Sequence, residues 1–247
     1  LSWTAQVDFL LQLNFEVFQG RPHEPRLFNA SGFELTAQDG TVLTADQPFV
    51  PAMLVGSLKT SFDAGDHVFL AGVSVMYGHA SQTSIAGEPG DWAASAPDTI
   101  LYGGELTYKY IIGSYRSVVW QSECLGLVSS GDLALASDEL VHAQKRRQGG
   151  FYSQILWRFD DNGHWRVGAR FDLLSQNTIK VDGVDQPLDH MLQRYTGMLE
   201  YSPTEFSRFR LQYAHDRSRF LEGERKDIHE VMLQMNIAVG PHGAHTF

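Results

Sequence analysis

Arginine side chains recur at alternate positions in the last third of this chain. Arg166 and Arg170 each lie two positions from Gly168, and Arg208 is followed at the same spacing by Arg210. Residues two positions apart in an extended strand point to the same face. These segments therefore predict a charged face. Its candidate residues are Arg158, Arg166, Arg170, Asp172, Arg194, Glu200, Arg208 and Arg210, with Lys109 and Glu123 from earlier segments.

Two interpretations of this charged face stay open at the level of sequence. A series of guanidinium groups could pass or hold anions, as rings of charged side chains do in pores. Alternatively, ion pairs of the arginines with Asp172, Glu200, Asp216 and Glu230 would only hold a polar interior together.

Histidines give a weaker indication of metal chemistry. His242 and His245 are three positions apart near the end of the chain, and His215 could approach His229 across the last hairpin. Because neutral imidazole is a good zinc ligand, His242 and His245 are candidate ligands for zinc or copper. An ordinary terminal tail is the alternative, and we expect no other cofactor.

Other classes of chemistry are disfavoured by the residues that the chain has. The single cysteine, Cys124, excludes an intrachain disulfide and a cysteine-rich zinc site. No G-x-S-x-G, H-E-x-x-H, phosphate-loop or dinucleotide motif occurs, so we expect no enzyme. A net charge of −10 argues against a nucleic-acid partner, which requires a basic face.

The elements that must position these residues show alternating polarity. In the last one, Val231, Leu233 and Met235 share one face, whereas Glu230 and Gln234 lie on the other. This period of two predicts strands. The predicted strands are 8–19, 51–62, 67–79, 98–112, 115–127, 149–159, 164–175, 192–202, 206–216 and 228–240, and Leu1 to Trp3 would be the end of an earlier strand.

The links between these strands alternate in length. Turns with Gly, Asn, Asp or Pro occupy Ala64 to Asp66, Gly113 to Ser114, Asp160 to Gly163, and Pro203 to Glu205. Between them we expect long polar loops at 20–50, 80–97, 128–148, 176–191 and 217–227. Strict alternation of short and long links is typical of an outer-membrane barrel with its long loops outside.

No helical segment remains to cover the apolar faces, so lipid is their expected environment. No run reaches the roughly 18 apolar residues of a membrane helix, while 12% aromatic residues suit interfacial girdles. The chain is therefore predicted to be all-β, as a transmembrane antiparallel up-and-down β-barrel with about ten strands. A soluble barrel or sandwich, which would bury the aromatic residues against a second sheet, is the alternative.

Several segments are similar to those of a known family. The most specific are Arg194 to Gln212, RYTGMLEYSPTEFSRFRLQ, and Gly240 to Phe247, GPHGAHTF; others are LVGSLKTSFD, LYGGELTYKY, SYRSVVWQSE, YSQILWRF and WRVGARFDLL. Together they resemble the C-terminal part of the zinc-regulated outer-membrane proteins of Gram-negative bacteria, often labelled TonB-dependent receptors or porins. The resemblance implies that residues 1–247 form one barrel domain, a fragment without the N-terminal strands of a barrel of about sixteen strands.

The functional expectation is a porin-like channel in the bacterial outer membrane for small hydrophilic solutes or ions, with a metal ion among the candidates. The alternatives are a structural sleeve around a partner protein and a plugged receptor for a metal complex. Expected partners are outer-membrane lipid and lipopolysaccharide, the solute, and either a protein in the lumen or further copies of the chain. Phe247, after an alternating strand, resembles the terminal signal that the barrel insertion machinery reads.

Overall fold

The computed structural model describes residues 1–18, 33–36, 42–45, 53–79, 82–85, 92–135, 141–186, 191–221 and 224–238. All regular elements in these ranges are β-strands, and none of the described residues form a helix that could cross a membrane. The strands are β1 (Ser2–Thr4), β2 (Leu10–Phe18), β3 (Phe33–Thr36), β4 (Val42–Ala45), β5 (Met53–Ala64), β6 (His67–His79), β7 (Gln82–Ile85), β8 (Trp92–Ile111), β9 (Ser117–Leu135), β10 (Val141–Arg158), β11 (Trp165–Val181), β12 (Val184–Gln186), β13 (Leu192–Thr204), β14 (Ser207–Leu221) and β15 (Glu224–Ile237).

Thirteen of these strands form one antiparallel sheet in up-and-down order. Its path is β1-β2-β5-β6-β8-β9-β10-β11-β13-β14-β15, with β7 beside β8 and β12 beside β11, while β3 and β4 form a separate hairpin. The all-β, antiparallel, up-and-down prediction is confirmed. Strands β1 and β15 are the edges of the described sheet and do not pair with each other, so this sheet is not closed into a barrel.

All ten predicted strands exist, but most of the predicted long loops were wrong in extent. Strand β9 continues to Leu135 and β10 already begins at Val141, so most of the predicted loop 128–148 is paired backbone. The same holds for 217–227, between β14 and β15, and in part for 20–50, 80–97 and 176–191. The strict alternation of polarity ends there, although the backbone ladder continues.

The tight turns are built by residues that suit them. Gly65 and Gly163 have positive φ values of 63° and 74°, which a residue with a Cβ adopts at a cost. The carboxylate of Asp160 accepts hydrogen bonds from the backbone N–H groups of His164 and Trp165, at 3.0 and 2.8 Å. These contacts hold the short link between β10 and β11.

The sheet exposes its apolar face and shields its polar face. Leu233 and Val231 are 77% and 73% exposed, whereas the charged residues Glu200 and Asp216 are each 2% exposed. Among the described residues, Ala214 is the one apolar side chain that is almost fully buried. Soluble domains have the opposite distribution, because apolar burial drives their folding. We call the shielded polar side the inner face and the exposed apolar side the outer face.

Candidate functional site

The strand register brings three arginines of the inner face around one carboxylate and places a fourth beside them. Arg158 is the cross-strand partner of Arg166, which is the partner of Glu200, which in turn is the partner of Arg210. Arg208 lies two positions before Arg210 and therefore on the same face of β14. We call Arg158, Arg166, Arg208 and Arg210 the basic cluster.

Glu200 is the acceptor that the basic cluster shares. Its Oε2 accepts hydrogen bonds from Nη2 and Nε of Arg210, at 2.7 and 3.0 Å. Nη1 of Arg166 lies 3.4 Å from its Oε1, and Nε of Arg208 lies 3.7 Å from its Oε2. Two hydrogen bonds from one guanidinium fix the position of this buried carboxylate.

The basic cluster has more positive charge than its surroundings neutralise. Among the described residues, Glu200 is the only carboxylate within ion-pair distance of any of the four arginines. In the amide orientation that satisfies both groups, Arg208 also donates to the side-chain oxygen of Asn236, which is a neutral partner. Three guanidinium groups thus share one carboxylate, and the fourth, that of Arg158, has no carboxylate among the described residues within ion-pair distance.

A second group of charged residues crosses the inner face farther from the tight turns than the basic cluster. Its cations are Lys59, Arg170 and Arg194, and its carboxylates are Glu105, Glu123, Asp172, Asp216 and Glu230. We call these eight residues the mixed row. The mixed row has three cations and five carboxylates, so its net charge is negative. The net charge of the basic cluster with Glu200 is positive.

The mixed row is held by short ion pairs. Arg194 binds Asp216 at 3.2 Å and Glu230 at 2.8 Å, and Arg170 donates from Nε to both carboxylate oxygens of Asp172, at 2.9 and 3.0 Å. Lys59 lies 2.7 Å from Glu105. Ion pairs that hold a polar interior together are what one interpretation of the sequence expects, although this row keeps two carboxylates in excess of its cations.

Two residues of the inner face were missed by sequence reasoning. Tyr152 lies beneath the guanidinium of Arg170, whose Cζ is 3.8 Å from the ring centroid, a cation–π contact. Gly72 leaves the space across β6 through which Lys59 meets Glu105, since a Cβ there would lie 2.6 Å from Oε1 of Glu105. The alternation itself placed Tyr152 inward, and a glycine inside a strand often marks a close approach.

A cavity of about 910 Å³ lies along this inner face. Of the predicted site residues, Glu123, Arg166, Arg170, Asp172, Arg194 and Arg210 line it. Arg158 and Glu200 are the cross-strand partners of Arg166, and Arg208 lies two positions before Arg210; these three residues are outside the lining. Lys109 lies on the inner face of β8, four positions from Glu105, and belongs to neither charged group.

The structure brings two of the predicted histidines together. The rings of His215 and His229 stack with centroids 4.8 Å apart, and the hydroxyl of Tyr213 lies 2.7 Å from Nδ1 of His229. The described residues contain no group of three or more His, Cys, Asp or Glu side chains arranged to hold a metal ion. His242, His245 and Phe247, predicted as metal ligands and as the insertion signal, lie outside the described residues.

Comparisons with known proteins add one relative. No family model matches the chain, and no solved structure matches it. The chain is similar to an uncharacterized protein of Aquifex aeolicus (strain VF5), with 37% identity over 247 residues, which are 100% of this chain and 50% of that protein. The chain therefore spans half the length of the curated relative that it matches.

Proposed function

We propose that this chain forms part of a bacterial outer-membrane β-barrel whose polar lumen passes small hydrophilic solutes. The observation that carries the proposal is the inverted distribution of polarity between the two faces of the sheet. A sheet that exposes Leu211, Leu233 and Trp157 while it shields Glu200 and Asp216 is suited to lipid outside and water inside.

The outer face supports this proposal across the whole sheet. From β2 to β15, no Asp, Glu, Lys or Arg occupies an outward position between the tight turns and the extended hairpin ends. Along β10 and the residue that follows it, the outward residues run from Phe151 to Phe159, and the charged Arg147 and Lys145 lie beyond Phe151. This band extends about 27 Å along the strand, so that a strand tilted by about 35–45° spans about 19–22 Å of the membrane normal, close to the apolar band of about 25 Å of outer-membrane barrels.

A complete barrel would require strands beyond those described. Because β1 and β15 are open edges and the chain covers half of its Aquifex relative, we propose that further strands of a longer protein, or further copies, complete the wall. The resemblance to the zinc-regulated outer-membrane proteins stays a prediction, and the same holds for zinc as a solute or ligand.

Single-channel recording in a planar bilayer tests the proposed function. The full-length protein that contains this chain should give steady conductance, because a barrel lined by the polar inner face would let water and ions cross. A protein that inserts into the bilayer but stays silent would contradict the open channel and favour the sleeve or the plugged receptor. A protein that stays soluble without detergent would contradict the barrel itself.

A further inference from the structure

We infer that the basic cluster is a binding site for small oxyanions, such as inorganic phosphate or a phosphorylated or carboxylated solute. The inference names the solute class for the lumen and rests on the proposed function for the route by which an anion reaches the site. Its starting point is the surplus of guanidinium groups over carboxylates within ion-pair distance.

Arg158 is the residue that a neutralising network does not explain. Its Cα partners are Ser117 and Arg166, so like charges stand directly opposite each other on β10 and β11. Like charges at such positions destabilise an antiparallel pair. No ion pair to a described residue offsets this repulsion for Arg158, whereas an anion between the two guanidinium groups would offset it.

The contrast with the mixed row strengthens this assignment. In that row each cation has at least one carboxylate within 3.2 Å, and the carboxylates outnumber the cations. If the arginines served only to balance charge inside the lumen, the excess acid of the mixed row and the excess base of the basic cluster would be interspersed. They are instead separated along the strands, which gives the lumen a cation-rich zone near the tight turns.

Guanidinium chemistry selects the ligand class. Each arginine presents a planar fork of N–H donors that matches two oxygens of a phosphate or carboxylate. Glu200 occupies the fork of Arg210 and holds it in place, and Arg166 and Arg210 both line the cavity. A tetrahedral or planar oxyanion would meet donors from several strands, whereas chloride could use only the charge.

Phosphate binding by the purified protein in detergent micelles is the direct test. Equilibrium dialysis with radiolabelled inorganic phosphate should show saturable binding that Arg158→Gln weakens about tenfold, the effect of losing one charge-assisted contact. Arg158→Lys should restore part of it, because the charge returns without the fork. Arg116→Gln is the matched control: it removes an arginine from the link between β8 and β9, where Arg116 pairs with Asp161, and should change binding less than twofold.

The outcomes separate this inference from the proposed function. Phosphate binding that depends on Arg158 in a protein without conductance would uphold the site and contradict the channel. Conductance without phosphate binding, or with the same binding in wild type and Arg158→Gln, would overturn the site and leave the channel standing. Equal losses in Arg158→Gln and Arg116→Gln would also overturn it, because the effect would then be one of overall charge.

Discussion

At the scale of single residues, the central feature is a carboxylate that is 2% exposed and surrounded by guanidinium groups. Glu200 would be costly to bury alone, because an ion loses its hydration when it leaves water. Arg210 compensates that loss with two hydrogen bonds, and Arg166 adds a third cationic contact. Glu200 is therefore the residue that keeps the basic cluster together in the absence of a ligand.

Removal of the Glu200 charge should strongly destabilise the sheet. We expect Glu200→Gln to lower the free energy of unfolding by about 3 kcal/mol, because the arginines lose their only common counter-ion. The measurement is the urea midpoint of the protein folded in micelles. Glu230→Gln is the matched control, since Arg194 keeps Asp216 and Glu230 is more exposed; we expect about 1 kcal/mol. Equal effects of the two substitutions would contradict the central role of Glu200.

Asp182 provides a second prediction at this scale, at the turn between β11 and β12. A hydrogen bond from His142 and one from the backbone N–H of Ala143 lower the pKa of Asp182 below its usual range. Because the pKa is lowered, these contacts stabilise the hairpin above the ordinary Asp value of about 3.9 and are lost as the pH falls through the lower value. The amide proton resonance of Ala143 should therefore titrate with a midpoint below about 3.9.

Substitutions at the same hairpin check this assignment. Asp182→Asn should abolish the acid titration of the Ala143 resonance, because the amide does not ionise. Asp185→Asn, which removes the ion-pair partner of Lys180 in the same hairpin, should leave that titration in place. A midpoint at or above the ordinary Asp value would show that the contacts with His142 and Ala143 do not favour the carboxylate.

At the scale of elements, the most specific feature is the irregularity between β10 and β11. Gly149 pairs with Gln176 and Gly150 pairs with Leu174, so Ser175 is an extra residue in β11. The bulge lies where the outward apolar band ends. Beyond it, each residue of β11 points to the face opposite to the one that strict alternation would give. A Cβ on Gly150 would meet the carbonyl oxygen of Leu173 and would come within 3.1 Å of the Cα of Leu174.

The bulge predicts a difference between two glycines of neighbouring strands. Gly150→Ala should destabilise the sheet by about 1–3 kcal/mol, because backbone atoms of β11 must move to admit the methyl group. Gly197→Ala on β13 is the control, since nothing lies within 4 Å of the new Cβ there, and we expect no loss. Urea midpoints of both variants decide; a tolerated Gly150→Ala would contradict the close backbone approach.

Alternation along the chain was sufficient to predict the ten long strands and the facing of their side chains. It failed at the hairpin ends, where it treated 176–191 as a loop. Asp182 and Gly183, with φ values of 50° and 80°, form there the Asp-Gly hairpin turn that joins β11 to β12. The dipeptide was a usable signal, but the polar run from Ser175 to Thr178, at the β-bulge, interrupts the alternation before it.

At the scale of the whole molecule, a new charge should destabilise the protein on the outer face of a strand and be tolerated on the inner face. Leu211 is 50% exposed on the outer face of β14, and its neighbour Gln212 lies inward. If lipid covers the outer face, Leu211→Arg should cost about 2–4 kcal/mol in folding into lipid vesicles, whereas Gln212→Arg should be tolerated within the polar lumen. A tolerated Leu211→Arg would contradict the membrane-facing assignment.

The sequence by itself determined the strand period, the polarity of each face and the β-strand character of the described segments, because these depend only on the spacing of residues along the chain. Tertiary structure alone decided which charges meet. Arg158, Arg166, Glu200 and Arg210 come from four strands, and their alignment depends on the register of each pair, which shifts every contact when it changes by one residue. The separation into a basic cluster and a mixed row is therefore a property of the folded sheet and not of any one segment.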